Sequence, residues 1–170
     1  MKQLSKKQKL VLLAGVLAVV AFIFSFIVPL KAEMSFLGTT VTENASFGET
    51  FFGEEGVGGA LVSFFGLVLI LAAGVYLIVS CFKEVKVDNV LKLVAIGALV
   101  VGAVLVFMTE TFYLASIEIP AGTPAEYIEA MKTQQAEMLK LGFGGIACGI
   151  LAIASAACVA VSKFVIKDAE

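Results

Sequence analysis

Hydrophobic and polar positions fall in long blocks along this chain rather than in short repeats. Four blocks, residues 10–30, 59–82, 90–108 and 141–162, are almost wholly apolar. Each matches the roughly 20 residues that a helix needs to cross a hydrocarbon layer about 30 Å thick. Lipid offers no partner to an unpaired backbone group, and the blocks lack the period-two pattern of barrel strands, so all four are predicted as helices. Two mixed segments, 31–58 and 109–140, and a short charged connection at 83–89 join them. The pattern predicts an all-α membrane protein: one integral membrane domain over residues 1–170, built as a four-transmembrane-helix bundle with a small extracellular head.

The head segments carry their own signals. The first, "KAEMSFLGTTVTENASFGETFFGEEGVGG", interleaves Phe, Thr and Val with the turn residues Gly38, Asn44 and Gly48, a pattern of two or three short strands. The second opens with "TFYLASIEIP", in which Phe112, Leu114, Ile117 and Ile119 read as another half-buried strand stopped by Pro120. An isolated strand pair is marginal in water, so these strands need one another and a cover for one face. "TPAEYIEAMKTQQAEMLK", residues 123–140, can supply it. Thr123 as cap, Pro124 at the first helical position and Glu126 closing a capping box mark a helix start. Tyr127, Ile128, Met131, Met138 and Leu139 then form an apolar stripe, broken by Gln134 and Gln135, while Glu126, Glu129, Lys132, Glu137 and Lys140 occupy the rest. Helices that lie on lipid favour basic residues, each worth about 1 kcal/mol near anionic headgroups. This helix is more acidic than basic, so docking on the protein's own strands is expected. Continued into the fourth block it makes an extended rod of roughly 39 residues, about 58 Å, a post bracing the head, unless the glycines of "GFGG" at 142–145 bend it.

Composition agrees with a membrane protein: 60% of the 170 residues are hydrophobic and 15% charged, with a mean hydropathy of +1.03, above the range of soluble domains. Charge sets the orientation. Lys2, Lys6, Lys7, Lys9, Lys83, Lys86, Lys92, Lys163 and Lys167 share one side with four carboxylates, a balance of +5. Lys31, Lys132 and Lys140 share the other with ten glutamates, a balance of −7. Positive loops stay inside, so both termini are expected in the cytoplasm of a multi-pass plasma-membrane protein. Fixed charge of this sign argues against an outer face built to attract nucleic acid or anionic lipid, so no nucleic-acid partner is expected. The first block is about twice the usual 7 to 15 residues of a signal peptide's apolar core, and "PLKAE" lacks a small-residue cleavage site, so it is expected to remain as an anchor. Lysine without arginine suits an AT-rich bacterial genome.

Candidate chemistry is thin. The chain has no histidine, which removes Ser-His and Cys-His nucleophile pairs and ordinary zinc sites. "GEEGVGG" and "GFGG" lack the Lys-Ser/Thr ending of a phosphate loop. Glu49, Glu54 and Glu55 could attract calcium, yet the spaced Asp ligands of a calcium loop are missing. No catalytic, cofactor-binding or metal-ligating residue is predicted. Glu110, the carboxylate nearest a block's end, reads as a solvated boundary residue. Cys81, Cys148 and Cys158 read as small buried hydrophobes, with palmitoylation of Cys81 as the alternative. Asn44 opens an N-A-S glycosylation sequon. Within the blocks Ser25, Ser63, Tyr76 and Ser155 are polar, but no ionisable side chain lies near a midpoint, which argues against ion transport. Ala98 with Gly102, and Gly145 with Gly149, are small pairs at four-residue spacing suited to helix packing.

Four spans with inner termini, a strand-bearing first outer segment and a shorter-stranded second one resemble the layout of the claudin-type four-span proteins. That family's hallmark, a Trp and a Gly-Leu-Trp motif followed by two cysteines in the first outer segment, is missing: the chain has no Trp and its cysteines lie elsewhere. The resemblance therefore implies layout alone, and no residue or junction-forming role follows from it. The expected function is that of a non-enzymatic accessory subunit or scaffold, held in the lipid bilayer and contacting a membrane or extracellular protein, or a second copy, through its head. Phe51, Phe52, Tyr127, Met131 and Met138 are the candidate residues for head packing or partner contact. A small oligomeric transporter or channel is the alternative.

Overall fold

The computed structural model describes residues 5–36, 39–54, 57–82, 88–117, 119 and 122–166. Gly38, Glu55, Pro120 and the lysines at 2, 83, 86 and 167 lie outside the described residues, as do the side chains of Glu54 and Glu126. Four helices, α1 (Lys6–Phe24), α3 (Leu61–Phe82), α4 (Asp88–Phe107) and α7 (Phe143–Phe164), are long and apolar enough to cross a membrane. They pack in a ring, α1 against α3, α3 against α4, α4 against α7 and α7 back against α1.

Small residues let them approach. Gly66 of α3 and Gly102 of α4 face each other so closely that a Cβ on Gly102 would stand 2.7 Å from the Gly66 carbonyl oxygen. On the opposite side of α3, Gly74 meets Gly15 of α1, where a Cβ would stand 3.0 Å from the Gly74 carbonyl oxygen. Ala14, Ala18 and Ala21 of α1 and Ala152 and Ala156 of α7 are buried, and Leu67, Ile70, Leu77, Leu99, Val106 and Val159 fill the space between. Hydroxyls buried among them are satisfied by backbone carbonyls: Ser63 Oγ donates to Leu105 O at 2.7 Å and Ser155 Oγ to Ala14 O at 2.7 Å. The short bonds to a neighbouring helix serve where no water is available.

The remaining elements gather at one end. β1 (Leu30–Phe36) and β2 (Thr39–Ala45) form a hairpin, and β5 (Leu139–Leu141) joins the other side of β1. The register sets Leu30 opposite Ala45 and Leu141, and Lys31 opposite Asn44 and Lys140. After the hairpin come α2 (Phe47–Phe52) and a two-stranded ribbon of β3 (Gly53–Glu54) and β4 (Val57–Gly58). α2 starts with a capping box in which Ser46 Oγ accepts the Glu49 N–H and Glu49 Oε2 accepts the Ser46 N–H at 2.6 Å. Ser5 and Gln8 make the same box at the start of α1. Polar side chains at these ends take up backbone donors that the first turn leaves open.

Three expectations are corrected. Residues 112–119 do not begin as a strand: Thr109–Ala115 is helix α5, carrying α4 on past a turn at Met108. Backbone bonds from Met108 N to Val104 O and Phe112 N to Met108 O keep the helical ladder across the joint, and an alternating run this short cannot override it. The short helical extension beyond the bundle therefore belongs to the third long helix. Second, α6 (Ala125–Met138) does not run unbroken into α7, because β5 and Gly142 intervene. Gly142 donates to Pro29 O at 2.9 Å and Gly144 to Val28 O at 3.3 Å, so the start of α7 is pressed against the chain leaving α1. A Cβ on Gly144 would overlap the carbonyls of Ile27 and Phe24. Val28 adopts φ 43°, a left-handed conformation that disfavours β-branched residues, as part of this contact. Third, the cap of α6 is Pro124 at ψ 142°, with no side-chain cap bond, so the helix starts one residue later than Thr123 and Pro124 predict.

Candidate interaction surface on the head

Strand alternation gives the three-stranded sheet two faces. Lys31, Glu33, Thr42, Asn44 and Lys140 share one. There Lys31 Nζ donates to Glu33 Oε1 at 2.6 Å, and Lys140 Nζ lies 3.5 Å from Glu33 Oε2. The hydrogen bond and charge of Lys31, with help from Lys140, hold the Glu33 carboxyl below the usual carboxylate range. The opposite face carries Leu30, Ala32, Met34, Val41 and Leu139. Its bundle-proximal end is covered, with Leu30 fully buried, while Met34 and Val41 at the far end are exposed. Between this face, Tyr113 of α5 and Glu49 of α2 lies a recess of about 460 Å³ whose rim includes Glu43.

β5 is secured from below. The Glu110 carboxylate, half-buried in the first turn of α5, accepts the backbone N–H of Leu141. Ser116, at the end of α5, donates its Oγ to Gly58 O and accepts the Gly58 N–H at its backbone carbonyl at 3.1 Å. α5 thus ties together the two segments that build the head. Glu110 is a structural acceptor rather than the solvated boundary residue expected.

The predicted contact residues divide. Phe51 is 1% exposed and belongs to the core, whereas Phe52 beside it is 55% exposed. The Phe51 side chain is enclosed by Phe47 and Phe64. On α6, Tyr127 is 60% and Met131 41% exposed, while Ile128, Gln135 and Met138 are half-buried toward β1, β5 and α5. The helix touches the strands along a narrow strip and leaves much of its stripe open. Gly145 abuts Leu141 and the Pro29 carbonyl, Gly149 abuts the Phe107 ring, and Ala98 is half-buried beside the Gly102 crossing. Cys81 and Cys148 are buried and Cys158 half-buried, all as free thiols, and Asn44 is exposed on β2. Among the described residues no group of three or more Cys, Asp or Glu side chains converges in a way that could hold a metal ion.

Reasoning from sequence missed the edge of the sheet. Among the described residues β2 is an outer strand with no partner beyond β1, exposed at every residue from Thr39 to Asn44, with its outward backbone groups facing away from β1. Natural edges are commonly guarded by charged residues, Pro or a bulge; "TTVTENA" carries a single charge, Glu43, and no Lys or Pro, and its pairing with β1 is regular throughout. That light guard was the available signal. No protein-family profile, curated protein or solved structure matches the chain.

Proposed function

We propose that this is a non-enzymatic multi-pass membrane protein, with both termini in the cytoplasm and the head outside, which acts as an accessory subunit or self-assembling scaffold through that head. The observation that carries the proposal is the open edge of β2, seven residues long, rich in β-branched side chains and guarded by the single charge of Glu43. Such an edge is a template for strand addition by another chain, in which main-chain bonds supply affinity and alternate side chains supply choice. Exposed Val41 and Met34 beside it, and Tyr127 and Met131 on α6, extend the surface available to a partner. The lysine distribution supports the orientation.

The interior of the bundle favours this role over transport. Buried side chains fill it, its hydroxyls are bonded to carbonyls, and no buried side-chain polar atom among the described residues lacks a partner. A path for ions or solutes would call for polar groups or broken helices at mid-depth.

Native extraction in mild detergent followed by mass measurement of the intact assembly tests the proposal. We expect a complex larger than one chain, lost on Thr42→Pro, which removes a donor from the edge while the bundle stays folded. A protein recovered always alone and monomeric overturns it.

A further inference from the structure

A chain of aromatic contacts links α2 to the two long helices that flank it. The Phe47 ring stacks on Phe26, just beyond α1, with centroids 4.2 Å apart and planes at 15°. Phe26 meets Phe22 of α1 edge-on at 5.3 Å. At the other end of α2, Phe52 lies 5.0 Å from Phe64, in the first turn of α3, next to Phe65. α2 is therefore level with the last turn of one long helix and the first turn of the next. It does not stand above them in the head.

Three rings of this group face outward: Phe26 at 52%, Phe52 at 55% and Phe65 at 64% exposure. They continue the exposed apolar surface of Ile23 and Leu69, which belongs to the long helices themselves. The acid of α2 points elsewhere: Glu49 bonds the Ser46 N–H and borders the recess under the sheet. One side of α2 is oily and continuous with the bundle's outer surface, and the other is polar and turned toward the head.

We propose that α2 lies within the outermost part of the lipid leaflet on the head's side, with Phe26, Phe52 and Phe65 in contact with acyl chains. The occupant is lipid, since the patch is continuous with the surface that a membrane-crossing bundle must offer to lipid, and an uncovered apolar patch of this kind in water is uncommon. The inference rests on the bundle crossing the membrane. It places part of segment 31–58 in the bilayer, and through Ser46 and Ala45 it fixes how the hairpin leaves the surface.

The chain has no Trp, so Phe52→Trp installs a single fluorophore. In protein-free liposomes of phosphatidylcholine brominated at a shallow, middle or terminal acyl position, into which the variant alone is reconstituted, we expect blue-shifted emission that loses most of its intensity with shallow bromine, less with terminal bromine, and none with aqueous iodide. Emission shifted to the red and quenched by iodide overturns the proposal. So does emission insensitive to both quenchers, which marks a ring covered by protein. Phe26→Trp reports on the same patch if the first variant does not fold. Phe65→Trp and Thr42→Trp serve as lipid and water references. Failure of bromine to reach Phe65→Trp overturns the membrane-crossing bundle itself, whereas failure at position 52 alone overturns only the placement of α2.

Discussion

The Glu110 carboxylate accepts the backbone N–H of Leu141, joining the first turn beyond one long helix to the strand that leads into another. The bond fixes the height at which β5 meets β1, since Leu141 is also the register partner of Leu30. A half-buried backbone donor deprived of its acceptor costs about 1–3 kcal/mol. We expect Glu110→Ala to destabilise the protein by that amount and Glu110→Gln, which keeps an acceptor oxygen, to cost less. Thermal unfolding in detergent measures both; equal effects of Ala and Gln count against the bond.

Two glycines of α4 give substitutions of opposite sign. A Cβ on Gly97 meets nothing within 4 Å, while one on Gly102 would be pressed against Gly66 and Ile70, each at 2.7 Å. Gly97→Ala is expected to be neutral or to stabilise by up to about 1 kcal/mol through helix propensity. Gly102→Ala is expected to destabilise by about 1–3 kcal/mol by forcing α3 and α4 apart. The pair shares helix, chemistry and host, so unfolding curves that move together would rule out the close crossing.

Ser155 of α7 donates to the carbonyl of Ala14 in α1. Interhelical bonds of this kind contribute about 0.6 kcal/mol on average in membrane bundles. Ser155→Ala should therefore lower stability only slightly, while Ser155→Leu, which must displace α1, should lower it much more. A large loss with Ala would mean that the hydroxyl has a role beyond this bond.

Glu33 gives the head a defined response to acid. Its folded pKa is lowered, first by the Lys31 hydrogen bond and then by the charges of Lys31 and Lys140. By linkage its contribution is complete above the ordinary carboxylate range and disappears as pH falls through the lowered value. The sheet should thus be indifferent to pH near neutrality and loosen only in strong acid, with a small effect that salt diminishes. Carboxyl titration by NMR checks the direction, and a Glu33 that titrates at or above the ordinary value refutes it. Glu33→Gln should remove this part of the acid response.

The bundle was legible because four apolar blocks match membrane thickness, and that signal requires no knowledge of neighbours. Strands in the first segment were legible too, but Asn44 and Gly48, read as turns, lie in β2 and α2, because Ser46 and Glu49 cap a short helix that strand alternation does not reveal. Phe112 and Leu114 misled because two or three apolar positions fit period two as well as a helix, and the deciding influence, the ladder from α4, lies outside their own spacing. Leu139–Leu141 is too short to show any period, and its partner Leu30 is remote along the chain. Gly15 and Gly74 became informative only once their helices were adjacent. Phe51 and Phe52 share one composition signal, and a turn of 100° between neighbours in a helix sends one to the core and the other outward.

The break at β5 has a consequence for motion. α6 holds on by Ile128, Gln135 and Met138, with most of its other described side chains exposed, and helices of 14 residues are marginal when packing is slight. α7 is held on three sides by α1, α4 and β1. Local opening follows the density of buried contacts, so amides of residues 127–137 should exchange orders of magnitude faster than those of the middle of α7, with an abrupt step across Leu139–Gly142. Glu110→Ala should move that step toward Phe143 by freeing the Leu141 amide, and should leave the middle of α7 unchanged. A continuous rod would instead lose protection gradually from Gly144 back to Tyr127, and hydrogen exchange showing that gradient would restore the unbroken helix.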